Sequence, residues 1–181
     1  MTIRARPGLC TISLAACLLS PAFGAPTQAK PCHPSPDIDA HLGVWEGTYR
    51  YFDVRGTLEK QHRSRLTLRR ECNRWIQRNE YFHPDGRSET LTFLGDVRED
   101  GTLDFDDDRL VGTAWGSRGS MLLQWCYTGQ KDLNFEMINL VSPDRRMRSW
   151  QLSGQGQPTG FVQITERRTR SLASSDQPPW P

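Results

Sequence analysis

GVWEGTYRYFD, Gly43 to Asp53, alternates with a period of two: Trp45, Gly47, Tyr49 and Tyr51 share one face, and Glu46, Thr48 and Arg50 share the other. That period belongs to a strand lying between two different environments. A face that only fills a core would be built of Val, Ile and Leu. Here it carries three rings and a glycine, and strand glycines mark a bend or a close approach. The face therefore reads as one wall of a lined space.

The same texture continues outward. Turn signals at 53–56, 71–73, 83–86, 98–101, 116–119, 128–132, 142–144 and 154–158 separate runs rich in aromatic and β-branched residues. They predict about nine strands, at 43–52, 59–70, 74–82, 88–97, 102–114, 120–127, 133–141, 146–153 and 159–168. One helical turn fits within 34–42. Short links force successive strands to be antiparallel. A long meander hides its edges by closing on itself. The expectation is an all-β, antiparallel up-and-down meander closed into a barrel of about 8–10 strands, wide enough for one small ligand.

The chain of 181 residues opens with Arg4 and Arg6, an apolar run from Leu9 to Ser20, and small residues at Ala22 and Gly24. This reads as a secretory signal over 1–24. The rival reading takes Leu14-Ala-Ala-Cys17 as a lipobox, with a lipid anchor on Cys17. A proline-rich arm (25–40), the barrel (41–170) and a polar tail (171–181) complete the expected organisation. A formal charge of +2 with scattered arginines argues against nucleic acid as a partner. No run is long enough for a membrane span. Composition does not address the oligomeric state.

Export permits a disulfide. Counting alternations along nine strands puts the 71–73 and 128–132 turns at one barrel end, where the arm also enters, so Cys32 reaches Cys72 or Cys126. Cys32–Cys72 is favoured, because Cys126 lies within a strand as a buried thiol. The histidines are dispersed, and most of them read as surface residues. Asp106-Asp-Asp108 lacks the spacing of a calcium loop and reads as a solvated strand edge. No nucleophile elbow, zinc pair or phosphate loop is present. No metal and no cofactor are expected.

The residues expected to line the interior are Tyr49, Asn79, Tyr81, Trp115, Trp125, Tyr127, Glu136, Arg148 and Trp150, with Gln163 and Arg167 sharing a face on the last strand. Rings with a few polar groups suit a small-molecule cavity. Glu136 and Arg148 lie on one hairpin and invite an ion pair. An interior Arg can also grip a ligand carboxylate, and Glu136 is the candidate general acid or base. Two functions follow. One is an exported protein binding a small, largely apolar molecule. The alternative is a cofactor-independent isomerase, cyclase or hydrolase using the same cavity.

The run of LGVWEGTY (42–49), HRSRLTL (62–68), NEYFHPDGRSET (79–90), DDDRLVGTAW (106–115), LLQWCY (122–127), FEMINL (135–140), RMRSW (146–150) and ITERR (164–168) resembles the calycin-like family known as the domain of unknown function DUF3598. The resemblance spans about residues 42–168. It implies a lipocalin-like barrel and carries no defined chemistry.

Overall fold

A computed structural model describes residues 31–172. The predicted signal, the first six residues of the arm and most of the tail lie outside the described residues. One short helix, α1 (Pro36–Asp39), precedes ten strands: β1 (Gly43–Phe52), β2 (Leu58–Glu71), β3 (Arg74–Phe82), β4 (Ser88–Val97), β5 (Leu103–Asp106), β6 (Leu110–Ser117), β7 (Ser120–Tyr127), β8 (Asn134–Ser142), β9 (Arg145–Gly154) and β10 (Gln157–Arg170). Each strand pairs antiparallel with its sequence neighbours, and β1 pairs with β10, which closes the barrel. The lipocalin-like closed barrel expected from the sequence is the fold.

The turns follow from local chemistry. Asp53–Thr57, His83–Arg87 and Arg98–Thr102 are three copies of one device. In each, a glycine takes positive φ (Gly56 84°, Gly86 85°, Gly101 82°) and donates its N–H to the carbonyl three residues back. Arg118-Gly119 and Gln155-Gly156 have positive φ at both positions, as a two-residue hairpin turn of the primed type needs.

The stretch predicted as one strand, 102–114, is two strands joined by a turn at Asp107. Its carboxylate accepts backbone N–H groups from Arg109 (2.8 Å), Leu110 (2.9 Å) and, across the sheet, Leu94 (2.8 Å). The aspartate run is therefore the last residue of β5 followed by a turn, and not one continuous strand edge. The correction has a topological consequence. An odd number of antiparallel strands cannot close with antiparallel first and last members, whereas ten can. The extra turn also moves 128–132 to the opposite end from 71–73.

The two ends differ. At one end α1 seats Ile38, fully buried, against β6 and β7. The arm is held there by the Cys32–Cys72 disulfide, with Cα atoms 4.8 Å apart. Asn73 accepts the His33 N–H (2.6 Å) and donates to the Pro31 carbonyl (2.8 Å), while Arg70 grips the Asp39 carboxylate (2.8 Å). Inside this end Trp45 is fully buried and donates its indole N–H to the His41 carbonyl at 2.9 Å. The guanidinium carbons of Arg146 and Arg168 lie 4.2 and 4.4 Å from its ring centroid, a cation–π arrangement. Trp45 is thus a plug, and the opposite end holds the open interior.

Candidate functional site

Inward positions follow the pleat. β1 contributes Tyr49 and Tyr51, β2 His62, β3 Gln77, Asn79 and Tyr81, and β7 Leu123, Trp125 and Tyr127; Glu136 comes from β8, and Arg148 and Trp150 from β9. Apart from Tyr49, these side chains enclose a cavity of about 270 Å³, completed by Leu91, Phe93, Phe105 and Leu110. Lys60, Glu89 and Tyr127 are exposed and form its rim with His83.

The cavity floor is an ion layer. Arg148 Nε donates to Glu136 Oε1, and its Nη1 donates to the Tyr49 hydroxyl (3.0 Å) and to Glu166 Oε1 (3.2 Å). Arg146 Nε donates to the other oxygen of Glu166. All four charged side chains are buried. Burial works against the charge of Arg148, but Glu136, Tyr49 and Glu166 outweigh it and raise its pKa well above the usual guanidinium value. Burial also opposes ionisation of Glu166, and Arg146 and Arg148 overcome it, lowering its pKa. The layer sets two cations against two carboxylates and leaves Arg146 Nη1 and Nη2 buried without a hydrogen-bond partner.

Glu166 is the residue the sequence reading missed. It faces Gly47 across the β1–β10 pair. A Cβ on Gly47 would lie 2.6 Å from Glu166 Cγ, so the glycine on the aromatic face makes space for this carboxylate. Gly112 makes the same kind of space for Trp125, whose Cβ would be 2.8 Å away.

Above the floor the walls are ring against ring. Tyr49 stacks on His62 with centroids 5.1 Å apart, and meets Tyr81 and Trp150 edge-on at 5.5 and 5.4 Å. Trp125 meets Trp150 edge-on at 5.9 Å. Asn79 Nδ2 donates to the Tyr81 hydroxyl at 2.8 Å. Burial pushes the Tyr81 phenol up to about 12 and raises Tyr49 and Tyr51 as well. Burial, aided by His83 and Lys60, holds His62 down at about 4, so its ring is neutral at pH 7. The indole N–H groups of Trp125 and Trp150, Asn79 Oδ1 and His62 Nε2 are buried with no hydrogen-bond partner.

The structure thus gathers Asn79, Tyr81, Trp125, Tyr127, Glu136, Arg148 and Trp150 around one cavity, with Tyr49 packed behind the rings of His62, Tyr81 and Trp150 and not lining it. Trp115 is elsewhere: it points outward from β6 and is 43% exposed. Gln163 and Arg167 are likewise on the outer face of β10, because Val162, Ile164 and Glu166 take the inner one. His62 and His41 are buried and not surface residues. His62 was legible: it stands at even spacing with Ser64, Leu66 and Leu68, the inward set of β2.

The family described as "Domain of unknown function (DUF3598), N-terminal" matches residues 38–171. Among solved structures, a DUF3598 protein of unknown function from Nostoc punctiforme superposes with a TM-score of 0.59 at 18% identity, covering 81% of this chain. This chain spans 53% of that protein's length. The S-type phycobiliprotein lyase of Guillardia theta superposes with a TM-score of 0.60 at 17% identity, over 75% of this chain and 92% of the lyase. These likenesses show the fold. No curated protein matches the sequence.

Proposed function

Since the chain belongs to the DUF3598 family, a domain of unknown function, we propose its role from the barrel itself: an exported protein that holds one small, largely apolar molecule in the cavity above the Arg148 floor. The observation that carries this is a space of about 270 Å³ walled by Tyr81, Trp125, Trp150, Leu123, Phe93 and Phe105, with Lys60, Glu89, His83 and Tyr127 at its rim. Such spaces, mostly apolar with a few placed polar groups, are the usual form of small-molecule sites. A barrel serving only as a scaffold gains nothing from leaving its middle unfilled, since close packing stabilises.

Export is the setting in which the Cys32–Cys72 bridge persists. A leader over 1–24 supplies that route, and a lipid on Cys17 is its rival. No helix among the described residues is long and apolar enough to cross a membrane. In the second reading, catalysis, Glu136 would move a proton. The hydrogen bond that Glu136 accepts from Arg148 favours an ion pair in the floor over that role.

Native mass spectrometry of the protein purified from its own cells tests the proposal. The expected result is one small-molecule adduct, weakened or lost in Leu123→Trp, which takes space from the cavity. The same spectrum reads the leader's cleavage site or a lipid on Cys17. A protein that carries no adduct and takes none from a cell extract overturns the reading.

A further inference from the structure

We propose that the outer face of β6–β9 is the surface through which two copies of this chain pair. This stands apart from the cavity reading, because it uses the side of the wall that faces away from the cavity.

Alternation along the strands builds the face. Trp115 pairs with Leu122, Leu122 with Met137 and Met137 with Ser149, so one outward row crosses four strands. Phe135 and Met147 flank it, two residues along β8 and β9 from Met137 and Ser149. Trp115, Leu122, Phe135, Met137 and Met147 are 38–53% exposed. Val111 and Leu133 extend the face toward the open end of the barrel, and Val141 toward the other. Exposed apolar residues scattered singly are ordinary, but a contiguous patch marks a contact surface.

Charge divides the outside of the barrel. The outward positions of β6, β7 and β8 carry none, and β9 has only Arg145, at its first residue. On β1–β4 the outward positions include Glu46, Arg50, Arg63, Arg65, Glu80 and Asp96. A two-fold contact sets one patch against itself. The charged side would bring like charges together there, and the uncharged side does not. An acidic or basic partner protein and an anionic lipid surface are recognised by complementary charge, and this face offers only Arg145. A second copy is the partner that an uncharged apolar face fits.

Size agrees. The large apolar side chains of the face together expose roughly 650 Å², more than the few hundred Å² a monomer ordinarily shows in one patch. With Gln124, Ser149 and Gln151 among them, the face approaches the roughly 800 Å² that each partner gives to a stable interface. Trp, Phe and Met are also the residues enriched in such interfaces, and Lys, Glu and Asp the ones depleted.

Sedimentation velocity of the purified protein at about 50 μM tests this, since interfaces of that size hold at micromolar concentrations or below. A dimer is expected. Met137→Lys and Leu122→Lys each place a charge in the central row and should raise the dimer Kd at least about tenfold, as loss of a central interface residue does. Arg63→Glu, on the charged side, should leave the Kd within about twofold. Near-UV circular dichroism reports whether each variant keeps the fold. If Met137→Lys does not, Met137→Gln removes the apolar contact without adding charge and should weaken the dimer in the same direction. A monomer at every concentration overturns the inference. So does a dimer that both row variants leave intact, because its contact then lies elsewhere. A monomer that co-sediments with phosphatidylcholine vesicles overturns it too and gives the face to a lipid surface. None of these outcomes bears on the cavity reading, which the adduct measurement decides.

Discussion

At Gly47 a Cβ would come within 2.3 Å of the Thr165 carbonyl oxygen and 2.6 Å of Glu166 Cγ. The first neighbour is backbone and cannot yield. Gly47→Ala should therefore destabilise the protein by about 2–4 kcal/mol, in the range of strain and overpacking changes, as read by urea unfolding. His41 is a second telling residue. It is fully buried, and neither ring nitrogen has a hydrogen-bond partner. Burial first, then Arg146, Arg148 and Arg168, lower its pKa to about 3, against a smaller opposing effect of Glu166. The folded state refuses a proton that the unfolded chain accepts near pH 6.5. Stability is then full above that pH and falls as the pH drops toward about 3. His62, held at about 4, works in the same direction. Replacing His41 by Leu should flatten the slope of unfolding free energy between pH 6 and pH 4 by about 1.4 kcal/mol per pH unit. It should cost little at pH 7, because no hydrogen bond is lost. An unchanged slope would show that His41 titrates normally in the fold.

Among the elements, the β5–β6 turn separates what the sequence states from what it hides. Asp107 alone accepts N–H groups from Arg109, Leu110 and Leu94. Asp107→Ala should cost about 2–3 kcal/mol, as expected when hydrogen bonds to a charged group are lost, with the change seen in thermal or urea unfolding. Most elements are legible because their residues alternate cleanly and their turns end in glycine. This one was obscured because FDDDRLVG reads as an uninterrupted strand. The signal was present in the phase. Leu103 and Phe105 occupy odd inward positions, whereas Leu110, Gly112 and Ala114 occupy even ones. A single strand cannot change phase without a turn or bulge. The same phase puts Trp115 outside. On β10 the inward phase is set by Val162 and Ile164, which points Glu166 inward and Gln163 and Arg167 outward. What alternation could not supply is cross-barrel geometry: that Gly47 faces Glu166, and that Arg148 reaches Tyr49, are consequences of closure.

Over the whole molecule, the barrel divides its ends by task. The arm, α1, Trp45 and the disulfide secure one end, and the cavity opens at the other. Cys32 and Cys72 are 40 residues apart in sequence. Opening a loop of that length should cost about 2–4 kcal/mol. Cys32→Ser should lower stability by that amount while leaving ligand affinity within about twofold, because no contact to the cavity is altered. Loss of binding on reduction would mean that the two ends are coupled. The most direct test of the account is the set of indole N–H resonances in a two-dimensional ¹H–¹⁵N spectrum during titration with the small-molecule extract of the source cells. Saturable shifts confined to Trp125 and Trp150, with Trp45, Trp75 and Trp115 unmoved, are predicted. Shifts at Trp115 without movement at Trp125 and Trp150, or no shift at all, would contradict binding inside the barrel.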